Sequence, residues 1–365
     1  MAEMSSLEKA REIINAVDAE MAGLFEKRMD AVKAVAEYKQ SHGLQVFDPA
    51  REQAVLSAGA GRITNEEFRP YYVSYLQSVM DISKSYQHRL LEGMRVAYSG
   101  VKGAFAELAA KKIFPDGVTV PYPDFASAYK AVTDGECDCA LLPVENSYNG
   151  DVGQVMDLAF FGSLHINGIY DAGVVHNLLT LPGVALDEIK EVVSHPQALG
   201  QCAGFIRRHN WKETKEVNTA LAAKKVAESG RRDIAAIGSE EAAAEYGLTN
   251  LVPHIEEDRG NTTRFAVFSR SPKSPSPDDN RFVMTFTVNN EAGSLGRAVS
   301  VIGYNGFNLR ALKSRPTKEL KWDYYFYAEG EGNINSKDGE QMLRELALCC
   351  NNVSVIGSFE KEIAI

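Results

Sequence analysis

No apolar run in this sequence is long enough to cross a bilayer. The longest, such as Cys139 to Val144, fall far short of the roughly 20 residues a spanning helix needs. The amino terminus reads Met-Ala-Glu-Met-Ser-Ser, with charged Glu8, Lys9 and Arg11 close behind. That is not a secretory signal, and a cytoplasmic location is expected. Positive charge is in short supply: 39 Lys and Arg face 49 Asp and Glu, a net charge of −10. The balance argues against nucleic acid as a main partner, but leaves small anionic ligands open because local basic residues decide those. Cysteine is scarce and odd in number, five in all, with no framework spacing. Cys137-x-Cys139 lies in an apolar, strand-like run, so these residues read as reduced core thiols rather than metal ligands. A dinucleotide fingerprint is missing too: Gly100-x-x-Gly103 lacks the full pattern and its acidic partner.

What is present is a soluble, multidomain composition. Hydrophobic residues make up 45% and charged residues 24% of 365, which suggests two or three domains. Residues 1–92 are helical in pattern. Leu7, Ile14, Val17, Met21, Leu24, Val32 and Val35 recur at three- and four-residue steps with no proline before Pro49, predicting one buried-faced helix of about 35 residues. A short helix follows from about Ala50 to Ala60. Thr64 and Glu67 have the spacing of a capping box for a third helix reaching about Leu91. Three unequal helices make a thin bundle, and dimerisation is expected to complete its core.

At Met94 strands and helices begin to alternate, through strands at 94–98, 119–122, 138–144, 191–194, 215–217 and 234–237. This pattern over residues 93–270 predicts an α/β domain with parallel sheet, in two lobes joined by crossover strands with a ligand cleft between them. Residues 271–280, with three prolines, read as a linker. Residues 281–365 follow as strand (Arg281 to Val288), helix (Ser294 to Tyr304), strands (Asn308 to Ser314 and Trp322 to Ala328), helix (Lys337 to Cys350) and strand (Val353 to Ile356). That is the βαββαβ order of a ferredoxin-like module.

Arg28 and Lys39 are eleven residues apart, within about 20° of each other around the long helix, so two cations stack on its apolar face. Arg11 falls roughly 100° away. Asp48, Arg51 and Glu52 share one face of the short helix, and Ser83 and Gln87 one face of the third. Either these polar positions fix the bundle's register, or they build an internal site for a dianion. In order and spacing they resemble the all-helical chorismate mutase family over about residues 5–91. The resemblance implies that Arg11 of a partner chain and Arg28 hold the carboxylates of chorismate. It also implies that Asp48 and Glu52 attend its hydroxyl region, and that Lys39 and Gln87 donate to the ether oxygen. A pericyclic rearrangement needs only a folded reactant and donors aimed at the oxygen that gains charge.

In the α/β segment three motifs stand at strand ends: Glu145-Asn146-Ser147, Ser194-His195-Pro196-Gln197 with Gln201 and Cys202 beyond, and Thr262-Thr263-Arg264-Phe265. Singly each reads as structural; His195 serves as well as a plain strand-end residue, and Arg264 as a strand-end ion pair. Together they resemble prephenate dehydratase over about residues 94–269. That resemblance implies a two-lobed fold similar to periplasmic binding proteins with prephenate in the cleft. Thr263 is then the proton donor to the departing hydroxyl and Arg264 a carboxylate anchor, and no metal or organic cofactor is required. One departure is visible. The family's Gly-Pro-x-Gly-Thr-Phe-Ser is Gly100-Val101-Lys102-Gly103-Ala104-Phe105-Ala106 here, without two hydroxyls.

The C-terminal module resembles an ACT domain, with Gly293-Ser294-Leu295 and Lys313-Ser314-Arg315-Pro316 at its two loop signatures. Lys313 stands where the family has glutamate. The resemblance implies feedback by phenylalanine, against a module that only dimerises. Two rival readings are a mutase fused to a dehydrogenase, which the missing fingerprint disfavours, and a solute-binding sensor, which the dianion constellation disfavours. The expected assembly is a homodimer or higher homo-oligomer.

Overall fold

The computed structural model describes residues 6–317 and 324–365, in two compact units that divide at Met94. The first unit is three helices, α1 (Ser6–Ser41), α2 (Pro49–Arg62) and α3 (Arg69–Glu92). Asp48 caps α2 by accepting the Arg51 N–H at 3.0 Å, with Pro49 in the first turn. The capping box expected at Thr64 does not form. Asn65 takes the Glu67 N–H instead, and α3 starts at Arg69 with Pro70 in its first turn, where a preset φ and a missing N–H suit a helix start. The larger departure is the apolar stripe of α1. Leu7, Ile14, Val17, Met21, Leu24 and Val35 are exposed, and among the described residues of that helix only Ala36 is buried. α2 packs on α3 rather than along α1, and α3, at about 36 Å, cannot cover a helix of about 54 Å.

The second unit opens with a lobe of β1 (Arg95–Ser99), α4 (Phe105–Ile113), β2 (Val118–Tyr122), α5 (Phe125–Thr133), β3 (Cys139–Asn146), β4 (Gly150–Asp151), α6 (Gly153–Phe161) and β5 (His165–Gly173). The chain crosses to a second lobe of β6 (Asn177–Thr180), β7 (Glu191–Ser194), α7 (Pro196–Gln201), α8 (Ala203–His209), β8 (Lys212–Lys215), α9 (Thr219–Ser229), β9 (Ile234–Gly238), α10 (Glu240–Tyr246) and β10 (Thr249–Val252). It returns to the first lobe as β11 (Thr262–Ser269). The two lobes joined by crossovers are as expected, and the parallel sheet forms part of each lobe, joined by antiparallel strands. β1 pairs parallel with β2 and β3, and β7 with β8 and β9. β11 runs antiparallel to β3 and β5, and β6 antiparallel to β9 and β10, because a strand arriving from the other lobe enters its sheet from the opposite end.

The C-terminal module comprises β12 (Arg281–Thr287), α11 (Ser294–Tyr304), β13 (Asn308–Pro316), β14 (Tyr324–Glu331), α12 (Lys337–Leu346), β15 (Asn351–Phe359) and β16 (Ile363–Ala364). The strand start expected at Trp322 lies outside the described residues. The antiparallel order β13-β14-β12-β15 is the ferredoxin-like arrangement. Its sheet continues into that of the first lobe, where β15 meets β5 at Gly357 and Ile166. A Cβ at Gly357 would lie 2.4 Å from the Ile166 carbonyl oxygen, so glycine permits the junction. The proline-rich segment is tied down rather than free: Asn167 donates to the Ser271 carbonyl, and Lys273 and the Ser276 N–H both reach buried Asp279. All five cysteines are free thiols, and burial pushes those of Cys137 and Cys202 up, as suits inert core residues.

Candidate active sites

In the second unit, Thr263 of β11 lies in register with Asn146 of β3, and Arg264 with Glu145. Directly opposed residues share a face and neighbours alternate, so the pairs Asn146–Thr263 and Glu145–Arg264 project oppositely. The first pair faces a cleft of about 570 Å³ between the lobes, which His195, Gln197, Gln201 and Phe265 also line. Asn146 is held in one orientation: its Oδ1 accepts from Tyr148 N, Asn149 N and Asn149 Nδ2 at 3.0–3.1 Å. Its Nδ2 must therefore face Thr263 Oγ1, 3.0 Å away, and also reaches Asn261 Oδ1 at 2.9 Å. Thr263 Oγ1 is thus an acceptor from Asn146, and its own proton is free to point into the cleft.

Among the described residues no Lys or Arg lines this cleft. Helix starts lie there instead: the first residues of α4 (Phe105, Ala106), α6 (Gly153, Gln154) and α9 (Thr219) are all in its wall. Helix N-termini present free N–H groups and the positive end of the macrodipole, which suits carboxylates. His195 caps α7, its Nδ1 accepting the Gln197 N–H at 3.3 Å, and burial holds its pKa below the ordinary value. Ala104 and Ala106, where the two hydroxyls are missing, both face the cleft. Glu107 compensates for the uncapped start of α4 by accepting the Gly103 N–H at 2.6 Å.

Four expected ligand residues do not line the cleft. Ser194 is fully buried and donates to the Ile237 carbonyl at 2.7 Å, a link between β7 and β9. Ser147 is spent on the turn, accepting the Thr262 N–H at 3.0 Å. Glu145 and Arg264 line a second cavity of about 580 Å³ on the far face, with Asp171, Arg310, Lys313, Glu329 and Glu362. There Arg264 bridges Glu145 at 2.9 Å and Glu329 at 2.8 Å, and those acidic partners raise its pKa against burial. Arg264 is therefore a strand-end ion pair and not an anchor in the cleft. His176 and Asn261, on the two crossovers, line the cleft without having been anticipated, because a single polar residue in irregular backbone carries no periodic signal.

In the first unit, Arg28 donates to Ser83 Oγ and, at 3.4 Å, to the Val79 carbonyl. Lys39 reaches the Val46 carbonyl at 2.5 Å. Glu52 pairs with Lys84 at 2.8 Å, a cation the sequence-based reading overlooked. Asp48 is occupied as the α2 cap, while Arg11 and Arg51 are exposed. Gln87 is buried with Nε2 donating to the Ser83 carbonyl at 3.3 Å and Oε1 unpartnered, which leaves the second Nε2 hydrogen for a donor role.

In the module a cavity of about 350 Å³ is lined by Val288, Asn289, Glu291, Leu295, Ser314 and Tyr324 among others. Gly293 immediately precedes α11 as its N-cap, at φ +83°. Ser294 is buried against Arg297, and Pro316 ends β13 opposite Tyr324. Arg315 points away, into a bidentate pair with Asp157 of α6 at 2.8 and 3.0 Å. Lys313 likewise spans to Glu145 at 3.2 Å and Asp151 at 2.5 Å, so its charge reversal faces the first lobe rather than the module's cavity.

Residues 96–273 match the family model for prephenate dehydratase, and residues 10–88 that for chorismate mutase type II. Arogenate dehydratase/prephenate dehydratase 2 of Arabidopsis thaliana is 36% identical, over 73% of this chain and 72% of its own length. The chain belongs to the prephenate dehydratase family. It carries that domain behind a type II chorismate mutase domain. A bifunctional chorismate mutase/prephenate dehydratase of Buchnera aphidicola is 28% identical over 96% of both chains. Among solved structures, the prephenate dehydratase of Arthrobacter aurescens in complex with L-Phe aligns at a TM-score of 0.68 and 26% identity, covering 73% of this chain and 90% of that one. A structure titled GqqA, a novel type of quorum quenching acylases, aligns at 0.68 and 31% identity, covering 74% of this chain and 98% of its own. No helix among the described residues is long and apolar enough to cross a membrane.

Proposed function

We infer that this family member performs two consecutive steps of phenylalanine biosynthesis: the helical unit rearranges chorismate to prephenate, and the cleft converts prephenate to phenylpyruvate. One observation carries the second step: Asn146 orients Thr263 as an acceptor, so the hydroxyl proton is presented to the cleft. As the carboxylate on the ring leaves as carbon dioxide, its bonding pair enters the ring and the C–O bond opposite breaks. Thr263 gives its proton to the departing oxygen, which leaves as water, and recovers a proton from solvent. Helix N-termini hold the carboxylates.

The keto acid is favoured over arogenate, on which several relatives act by name. Among the described residues one carboxylate, Asp151, lines the cleft, and Lys313 holds it, so no free anion awaits an ammonium group. An acylase reading would need a base to take the hydroxyl proton, and among the described residues the side-chain partner of Thr263 Oγ1 is the Asn146 amide, a donor and not a base. The module is proposed as a phenylalanine-binding ACT domain, its ligand in the cavity beside Leu295 and Ser314, and the exposed stripe of α1 as the seat of a second copy. The deciding assay is phenylpyruvate formation from chorismate with no added cofactor, in a cytoplasmic-type buffer. Accumulation of prephenate, or turnover of arogenate in preference to prephenate, would contradict the dehydratase assignment.

A further inference from the structure

His176, in the crossover between β5 and β6, is 2% exposed and lines the substrate cleft. Its Nδ1 is the one fully buried side-chain nitrogen or oxygen in the lining, among the described residues, that has no hydrogen-bond partner. Everything else about the ring is fixed. Nε2 lies 2.6 Å from Gln201 Oε1, and an amide oxygen only accepts, so Nε2 carries the hydrogen. The Gln201 amide cannot be reversed without cost, because the same oxygen accepts from Asn261 Nδ2 at 3.0 Å. Asn261 in turn offers its oxygen to Asn146 Nδ2, whose orientation three donors determine. The relay runs from Thr263 to His176 and leaves the neutral imidazole with a bare acceptor. The backbone N–H of His176 is taken by Glu256 at 2.9 Å, and its ring stands edge-on to Phe105 at 5.6 Å. Burial keeps its pKa below the ordinary value, which favours the neutral ring.

A buried acceptor left without a donor is unfavourable, and a ligand that brings the donor relieves it. On the dehydratase reading, on which this inference rests, the substrate offers two carboxylates and a ketone, all acceptors at neutral pH. Its ring hydroxyl is its single donor. We propose that Nδ1 of His176 accepts the hydrogen bond of this leaving hydroxyl, so that a lone pair of the same oxygen turns to the free proton of Thr263. His176 stays neutral throughout; the oxygen takes the Thr263 proton and departs as water, keeping its original hydrogen, which remains hydrogen-bonded to Nδ1.

The test uses the full-length enzyme with His176→Gln and His176→Asn, both checked for thermal unfolding like wild type. Glutamine keeps a donor near the Nε2 position for Gln201 but has no acceptor at Nδ1. Asparagine loses that donor and places its amide oxygen near Nδ1. His176→Gln is expected to lower dehydratase kcat about tenfold or more with a smaller change in KM, and His176→Asn to recover part of the loss. Wild-type kcat in His176→Gln, or His176→Asn no better than it, overturns the acceptor role. A second measurement needs no variant: the O-methyl ether of prephenate keeps both carboxylates but has no donor, and should bind wild type about tenfold more weakly than prephenate or worse. Equal affinity overturns the proposal. If wild type does not convert prephenate at all, the functional reading fails instead, so the two failures are distinguishable.

Discussion

At the scale of single residues, Asn146 settles what Thr263 can do. With three donors on its oxygen, the amide has only N–H to offer, and the threonine hydroxyl must give its proton elsewhere. Thr263→Ala should therefore cut dehydratase kcat by at least about a hundredfold, within the usual span of acid catalysis. Mutase turnover should survive, since it belongs to a different unit; near-normal phenylpyruvate formation in the purified variant would remove Thr263 from the reaction. Gln87 makes a parallel case in the helical unit. It does not titrate near neutrality, whereas a carboxyl in its place donates only when protonated, with an unperturbed pKa of about 4.3. Gln87→Glu should shift mutase activity toward acidic pH. A pH profile that overlays that of wild type would show that position 87 does not face the ether oxygen.

At the scale of elements, the strand-end motifs were readable but their grouping was misleading. Glu145-Asn146-Ser147 and Thr263-Arg264-Phe265 look like contiguous binding surfaces in sequence. A strand sends neighbours to opposite faces, and that alone separates Asn146 and Thr263 from Glu145 and Arg264. The long helix and the βαββαβ order were legible because their periods repeat over many residues. α6, α8 and α10 were not, being short: α6 is apolar nearly all round, and so lacks the contrast that marks an amphipathic helix. His176 and Asn261 sit in crossovers, where no period exists to place them. The misplaced pair has a role of its own, as β13 and β14 of the module grip the first lobe through Lys313, Arg315 and Glu329 at Glu145, Asp157 and Arg264. Burial pushes the pKa of Glu145 up, yet hydrogen bonds and charge from Arg264 and Lys313 leave it below the usual value. A depressed carboxyl contributes stability above its unfolded pKa of about 4.3, and that contribution is lost as pH falls through the folded value. Glu145→Gln should thus lower the thermal midpoint of the second unit at pH 7, with the gap to wild type closing below about pH 4. A gap that stays constant across this range, read by calorimetry, would mean the ion pair contributes nothing to the junction.

At the scale of the whole molecule, the helical unit is incomplete as a single chain. Leu7, Ile14 and Leu24 of α1 are 57, 57 and 64% exposed, too many apolar side chains within one arc of about 100° to be a solvated face. The expected substrate ligands are also split. Arg28 is held at Ser83 of α3, while Arg11 lies seventeen residues earlier, about 25 Å along a straight helix and on another side of it. One helix cannot aim both guanidinium groups at one small dianion. A second α1 packed antiparallel would cover the stripe and bring its Arg11 beside Arg28 of the first, so one arrangement answers both problems. The prediction is that each mutase site is shared between two chains. Arg11→Ala and Arg28→Ala should each be nearly inactive as homo-oligomers, and are then unfolded together and refolded so that chains mix. In a mixed dimer with shared sites, one site collects both mutations and the other neither. Random mixing makes half of the dimers mixed, so about a quarter of wild-type mutase activity should return. If each site were built from one chain, every site would keep one mutation and nothing would return. That result, with chain exchange verified by mass labelling, would exclude the shared site and leave the exposed stripe of α1 to be covered in some other way.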